Sequence, residues 1–569
     1  KKSIRKIKKV NQRKTNSYAL LGALQKMPKK EVKSKEQSLE TVLWNCRVAL
    51  RTIGSLEKKR DAIISLCFLN FASVKFERRR KEIIEQYGDV PVFLEKVSFY
   101  NAENVYYLDE HCRWNYIVKN ASADDIAVKI DKALADIEAK NPPLKGALPQ
   151  QLFVSLNADK AAMKSLIDEV NKINEERFKE EDLIGRVYEY FLQNYAASGT
   201  KEDGEFYTPA CVVELITELI EPFDGVVYDP CCGSGGMFVQ SMRFVDEHKG
   251  NRKKVSVVGQ ESNPDTWRLA KMNLSIRGIS CDLGEKNAST FTEDLHKDRK
   301  VRYIMANPPF NLKKWRGEDE LIGDPRFKGW GAMPPVSNAN YAWILHMLSK
   351  MDESNGIAGF LLANGALNAG AGGGDEQSEN SEYIIRKQLL ERDKVEAIIV
   401  LPRDMFYTTD ISVTLWILNN NKKAHELNGR QLRDRTNEVL FVDLRRWDEN
   451  SEEYVLDKNK KKKKTVLSRA QIEKIRDLYF AWQSADRTAY HDVPEYCKAV
   501  KLDGENGIRA NNYTLTPSKY IEFIDHDLDI DFPKEMARIQ REMKEVIEQE
   551  KQSQQLLIKA FEGIGYGIE

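Results

Sequence analysis

Apolar residues recur at helical spacing over 39–192, among them Leu43, Val48, Ile53, Ile63, Leu66, Phe68 and Leu69, with glycine and proline interruptions at 88–91 and 141–146. This predicts a helical domain over 39–192. From Val226 the pattern changes. Short runs apolar on both faces, at 226–229, 255–260, 303–306, 357–362, 395–401 and 413–418, alternate with helix-length segments, and a last run at 439–444 closes the region. Strands of that kind separated by helices form a mainly parallel sheet covered on two sides, so an α/β domain is expected over 193–446. Beyond Trp447 the chain turns polar, with helical patches across 447–569. Its last stretch carries Met536, Ile539, Met543, Val546 and Ile547 after Pro533, and Leu556, Leu557, Ala560 and Phe561 resume the stripe. That spacing predicts a long helix, 534–562, that binds a partner, with packing on its own domain the alternative reading.

Charge divides the chain. Lys and Arg total 88 against 87 Asp and Glu, yet residues 1–35 hold 13 basic residues and one acidic residue, leaving 75 against 86 in the body. A free-standing enzyme that grips DNA is ordinarily basic, because phosphate neutralisation supplies its affinity. If nucleic acid is the substrate, it is held by the basic arm 1–38, by local patches or by another subunit. The arm reads as flexible and the lysine run 458–464 as a solvated loop. No run approaches the about 18 apolar residues of a membrane span, and 18–24, the only apolar stretch after the basic N-terminus, is very short for a signal-peptide core. Eight cysteines without a Cys-x-x-Cys pair fit reduced thiols in a cytoplasmic protein. Seven histidines without His-Glu-x-x-His or His-x-His spacing give no metal ligand set.

Three segments carry chemistry. Asp229-Pro-Cys-Cys-Gly-Ser-Gly-Gly-Met-Phe238 follows a strand and opens a helix, where glycines admit a ligand close to the backbone. Phe238 stands where a dinucleotide fingerprint needs its third glycine, which disfavours NAD. Asp229 would repel a pyrophosphate but accept hydrogen bonds from an amino-acid ammonium, which suits S-adenosylmethionine. Glu261 ends the second strand, where a carboxylate can receive two ribose hydroxyls. Cys231 and Cys232 read as small space-filling residues. Asn307-Pro308-Pro309-Phe310 directly follows the run 303–306, and in a parallel sheet it shares one edge with the glycine loop. The Asn307 side-chain oxygen and the Pro308 carbonyl are two acceptors for both hydrogens of an exocyclic amino group. The prolines hold them in place, and Phe310 can stack on a base. An adenine N6 lone pair is delocalised into its ring; drawing both N–H groups out of the plane localises it toward a methyl donor. The third segment, Gly204-Glu205-Phe206-Tyr207-Thr208-Pro209, precedes an amphipathic helix and reads as a turn capped by Thr208, or as a flap over the cofactor.

In this order the segments resemble the N6-adenine DNA methyltransferases, and most nearly the methylation (modification) subunit of type I restriction-modification systems. The resemblance extends to 44–76, to Leu183-Ile-Gly-Arg-Val-Tyr-Glu-Tyr190, to Asn340-Tyr-Ala-Trp343, to Leu401-Pro402 with Phe406, and to Tyr513-Thr-Leu-Thr-Pro-Ser-Lys-Tyr520. It implies an α/β fold, a Rossmann-like S-adenosylmethionine-dependent methyltransferase domain with an N-terminal helical domain and a C-terminal helical tail. It implies Glu205, Phe206, Tyr207, Thr208, Pro209, Ala210, Asp229, Gly233, Ser234, Gly235, Gly236 and Glu261 at S-adenosylmethionine, with Asp294 near the cofactor's adenine. Asn307, Pro308, Pro309 and Phe310 would bind and activate an adenine flipped out of duplex DNA. The implied partners are a specificity subunit that reads sequence, a second copy of the methylation subunit, and a restriction (motor-nuclease) subunit. Such division of labour accounts for an acidic body. The basic arm and the insert 311–337, with Trp315, Phe327 and Trp330, stand apart from the family pattern; those rings could line a DNA path, and packing of the insert is the favoured expectation. Two rival readings remain. A protein glutamine N-methyltransferase uses a similar Asn-Pro-Pro-Tyr, against which stand Phe310 and the helical flanks. A non-catalytic DNA clamp or assembly subunit would keep the fold alone, against which stand Asn307 and the intact glycine loop.

Overall fold

A computed structural model of the protein describes residues 38–51, 53–103, 105–173, 208–370, 380–406, 411–445, 454–456, 463–524 and 532–563. The arm 1–37, the segment 183–190, Glu205 to Tyr207 and the lysines 458–462 lie outside these residues. The chain divides into two compact units, 1–136 with 150–190 and 137–149 with 191–569.

In the first unit, helix α1 (Leu39–Ala49) begins where the Ser38 hydroxyl accepts the Thr41 N–H, and α2 (Leu56–Tyr87) begins the same way at Ser55. Helix α2 stops at Gly88, whose φ of +82° an L side chain rarely adopts. Helix α3 (Lys160–Val170) starts at Asp159, which accepts from the Ala162 N–H at 2.7 Å. α1 packs on α3. Leu39, Val42, Leu43 and Cys46 of α1, Ile63, Leu66, Phe68 and Leu69 of α2, and Leu166 and Ile167 of α3 are buried. Val48, expected in this core, is 49% exposed. It falls off the face that 39, 42, 43 and 46 share at helical spacing.

The second unit is built on a nine-stranded sheet. In chain order the strands of this unit are β1 (Gly225–Asp229), β2 (Val255–Gly259), β3 (Cys281–Asp282), β4 (Tyr303–Ala306), β5 (Ile357–Ala363), β6 (Val395–Val400), β7 (Val413–Asn419), β8 (His425–Leu427), β9 (Arg430–Leu432), β10 (Glu438–Asp443), β11 (Tyr454–Leu456), β12 (Lys463–Thr465) and β13 (Cys497–Lys501). The large sheet runs β13-β10-β6-β7-β5-β4-β1-β2-β3, while β8 with β9 and β11 with β12 form two small antiparallel pairs. Strands β3, β2, β1, β4 and β5 pair in parallel, as do β6 and β10. β7 runs antiparallel to both β5 and β6, and β13 is antiparallel to β10. The mainly parallel sheet is therefore present with two reversed strands. The 401–412 connection holds no helix among its described residues, and a return without a crossover is antiparallel.

Side chains alternate between the two faces. Ile357 and Leu361 of β5 join a core with helices α4 (Ala210–Ile220), α5 (Gly236–Glu247), α6 (Pro264–Ile276) and α9 (Arg469–Gln483). Ala358, Phe360 and Leu362 join the opposite core with α7 (Asn340–Lys350) and α8 (Ser381–Glu391). Helix α10 (Phe532–Gly563) keeps Phe532, Met543, Val546 and Leu556 exposed.

Helix α4 crosses β5 at Gly359, where an added Cβ would lie 2.8 Å from Ile216 Cγ2 and 3.2 Å from Ile220 Cγ2. Gly359→Val is therefore expected to overpack this contact and cost about 1–3 kcal/mol, read as a lower urea midpoint at unchanged slope.

Candidate active site

Strand β1 lies between β2 and β4 and is parallel to both. Asp229 pairs with Gly259 and Tyr228 with Ile304, so the glycine loop, Glu261 and Asn307 all leave the same edge of three neighbouring strands. The loop is held through its backbone N–H groups. The Cys231 N–H donates to Asp229 Oδ1 at 2.9 Å, Cys232 N–H to the Gln260 carbonyl at 3.0 Å, Gly233 N–H to Glu261 Oε2 at 3.0 Å, and Gly235 N–H to the Cys232 carbonyl at 2.8 Å. Gly235 caps α5 at φ +83°, a left-handed conformation that glycine adopts freely. Asn273 of α6 donates to the Ser234 carbonyl at 2.7 Å.

At Gly233 and Gly236 an added Cβ would meet nothing within 4 Å, so the loop borders open space. Two carboxylates, Asp229 and Glu261, bond directly to that loop. They oppose a pyrophosphate and suit a ligand bearing ammonium and sulfonium charges, so the residues present fit S-adenosylmethionine. Asp229 is 2% exposed. Burial above all, with the Glu261 charge adding to it, pushes its carboxyl up to about 7. Burial and the same two carboxylates push the Cys231 and Cys232 thiols well up, so neither is a thiolate and both fill space. Glu261 is oriented on its other side by the Asn263 N–H at 2.9 Å.

Asp294 sits in a buried ion pair. Its carboxylate is 2.6 Å from Lys350 Nζ, both side chains are 3% exposed, and it also accepts the His296 N–H at 3.0 Å. A buried carboxylate requires such a partner. The loop that does approach Glu261 lies a few residues earlier: the Ala288 N–H donates to the Glu261 carbonyl at 3.0 Å. Buried Gln260 holds this loop, donating to the carbonyls of Ala288 at 3.1 Å and Glu293 at 2.7 Å and accepting the Leu295 N–H at 3.1 Å. A polar residue closing the apolar run of β2 was its one sequence signal.

Asn307 follows β4, and its Nδ2 donates to the Thr208 hydroxyl oxygen at 2.9 Å. Thr208 is thus no helix cap: α4 is capped at Pro209, without a side-chain bond. The bond orients the amide and leaves Asn307 Oδ1 buried, with no hydrogen-bond partner among the described residues. Pro308 is buried, while Pro309 and Phe310 are half-buried. The Phe310 ring meets Phe406 edge-on, centroids 6.3 Å apart at 75°. Of the segment 205–210, Thr208, Pro209 and Ala210 are described; Pro209 is buried and Ala210 opens α4. In the insert, buried Trp315 packs against Phe291 and buried Phe327 against Trp315, and Arg392 lies 4.3 Å over Trp330, which is packing, the favoured expectation for these rings.

The sequence model of a family described as N-6 DNA Methylase matches residues 179–528, and one described as HsdM N-terminal domain matches 39–170. The chain is 36% identical over 449 residues to the Type I restriction enzyme HindI methylase subunit of Haemophilus influenzae, covering 78% of this chain and 93% of that protein. It is 31% identical over 546 residues to the MjaIX methylase subunit of Methanocaldococcus jannaschii, covering 93% and 91%. Among solved structures, the type I restriction-modification system methyltransferase subunit from Streptococcus thermophilus matches the fold with a TM-score of 0.64 at 24% identity, covering 86% of this chain and 100% of that one. No helix among the described residues is long and apolar enough to cross a membrane.

Asp229 couples stability to pH. Its folded-state value is raised from an ordinary 3.8 to about 7, so the folded protein holds the proton more tightly than the unfolded chain. The stabilisation is complete below about pH 4 and is lost as pH rises through about 7. Asp229→Asn in the cofactor-free protein is expected to flatten the fall in melting temperature between those limits; an unchanged fall would assign it to other groups.

Proposed function

The chain belongs to the N-6 DNA methylase family, as a type I restriction-modification methylation subunit, and from that premise we propose that it methylates N6 of adenine in duplex DNA using S-adenosylmethionine. The observation that carries this reading is Asn307: one end of its amide bonded to Thr208, the other a buried acceptor without a partner among the described residues. Residues 205–210, Asp229, the loop 233–236 and Glu261 would hold S-adenosylmethionine, which when bound would supply a methyl group made electrophilic by its sulfonium. The chain's own residues prepare the acceptor. Asn307 Oδ1 and the Pro308 carbonyl accept the two N6 hydrogens, and the pull favours a localised lone pair. Phe310 stacks on the base, with Phe406 packed edge-on beside it. Flipping the base costs a few kcal/mol, which these contacts offset.

The acidic body and the exposed apolar stripe of α10 support work in a complex, in which a specificity subunit reads sequence and packs on that helix, a second methylation subunit closes around the duplex, and a restriction subunit can join. The division into an arm 1–38, a helical domain 39–192, a catalytic domain 193–446 and a C-terminal region 447–569 belongs to the same proposal.

Labelled cofactor, duplex DNA and the full chain, with and without a specificity subunit, test it. Label is expected on adenine N6, and Asn307→Ala should slow transfer by about 10²–10³ while cofactor affinity is retained. Label on protein would point to amide methylation, and none under any condition to a non-catalytic clamp.

A further inference from the structure

The insert 311–337 begins one residue after Phe310, and nothing in the proposed chemistry gives it a task beyond packing. Its Arg326 side chain is 11% exposed, and a guanidinium so buried is costly to desolvate unless its donors are satisfied. Here they are. Nε and Nη2 donate to the Asp324 carboxylate at 2.9 and 2.7 Å, which orients the plane. Nη1 then donates to the Thr290 carbonyl at 2.8 Å and to His346 Nδ1 at 3.2 Å, and Nη2 to the Phe291 carbonyl at 2.6 Å.

Both ends of this clamp lead to the cofactor pocket. The Thr290 hydroxyl donates to the carbonyl of Pro230, which follows Asp229, and two residues earlier the Ala288 N–H donates to the Glu261 carbonyl. His346, kept neutral by burial and by the adjacent guanidinium, accepts at Nδ1 and so presents Nε2–H to the Tyr228 oxygen, 3.0 Å away. Tyr228 precedes Asp229. Packing accounts for one face of the guanidinium, which lies 5.2 Å over the buried Phe327 ring, but not for the directed bonds of its edge. A guanidinium directed at two successive carbonyls of one loop fixes where that loop stands.

We propose that Arg326 is a positioning residue for the cofactor pocket: it clamps the Thr290 and Phe291 carbonyls, sets the loop that braces Pro230 and Glu261, and makes the insert a strut beneath the cofactor. This rests on the reading that the pocket holds S-adenosylmethionine.

Calorimetric titration of the full chain with S-adenosylhomocysteine, without DNA, tests it alongside thermal melting. Arg326→Gln is expected to raise Kd about tenfold or more, and Thr290→Val, which removes only the hydroxyl bond to Pro230, about threefold to tenfold. Thr290→Val should melt within about 2 °C of wild type, so it decides the matter even if Arg326→Gln does not fold. Lys328→Ala, an exposed neighbour on the insert, should bind as wild type does. Arg326→Gln melting lower yet binding at the wild-type Kd, or Thr290→Val binding like wild type, overturns the proposal. No binding by the wild-type chain sinks the cofactor reading and the strut with it, a result distinct from equal binding by all variants, which sinks the strut alone.

Discussion

Strand β1 pairs in parallel with β2 on one side and β4 on the other, with Tyr228 level with Ile304 and Asp229 level with Gly259. From that register follow the meeting of the glycine loop with Glu261 and the position of Asn307 beside Thr208. A shift of one residue would exchange the faces of every β1 side chain. Val227, now in the core beneath α4 and α5, would change places with Tyr228, which now reaches His346 of α7. The register is thus held by burial on both faces, and the edge carrying the glycine loop and Asn307 inherits its precision from the core rather than from the loops that line it.

Seven of the nine strands of this sheet were legible because they are apolar on both faces, a pattern that helices covering both sides impose, while the two-residue edge strand β3, partly exposed, was not. Strand direction was not. Nothing in Val413 to Asn419 distinguishes a reversed strand from a parallel one; that depends on the connection before it. Strand β13 escaped notice because Cys497-Lys-Ala-Val-Lys501 sits at the sheet edge, where half its residues need not be apolar. Val48 was misread because a helical stripe is defined by phase, and one residue off phase turns to solvent.

At the site, residue types were legible and partners were not. Asp229, Glu261 and Asp294 all follow or precede strand ends and look alike in sequence. What separates them is tertiary: Glu261 bonds the Gly233 N–H, Asp229 staples its own turn, and Asp294 pairs with Lys350, 56 residues on. The same holds for Thr208, whose hydroxyl serves an amide 99 residues away instead of capping the helix beside it. Local chemistry identifies which groups a reaction needs; only packing decides which of several equivalent groups is left for it.

The buried oxygen of Asn307 carries this furthest. A buried acceptor without a partner costs about 1–3 kcal/mol, and such a group persists only where its surroundings forbid it to turn elsewhere. Thr208 holds the other end of the amide, and Pro308 and Pro309 stiffen the chain that follows. On the proposed reading that deficit is the basis of choice between bases. A base presenting an exocyclic amino group satisfies the oxygen; one presenting a carbonyl at the same position leaves it unpaired and adds repulsion between acceptors. Sites built around such a buried group reject the analogue that lacks the hydrogen bond far more strongly than a hydrophobic pocket rejects a missing methyl. Selection of an amino-bearing base therefore requires no sequence reading by this chain, and discrimination among the amino-bearing bases falls to the shape around Phe310 and Phe406, while choice among DNA sites is left to a separate reader.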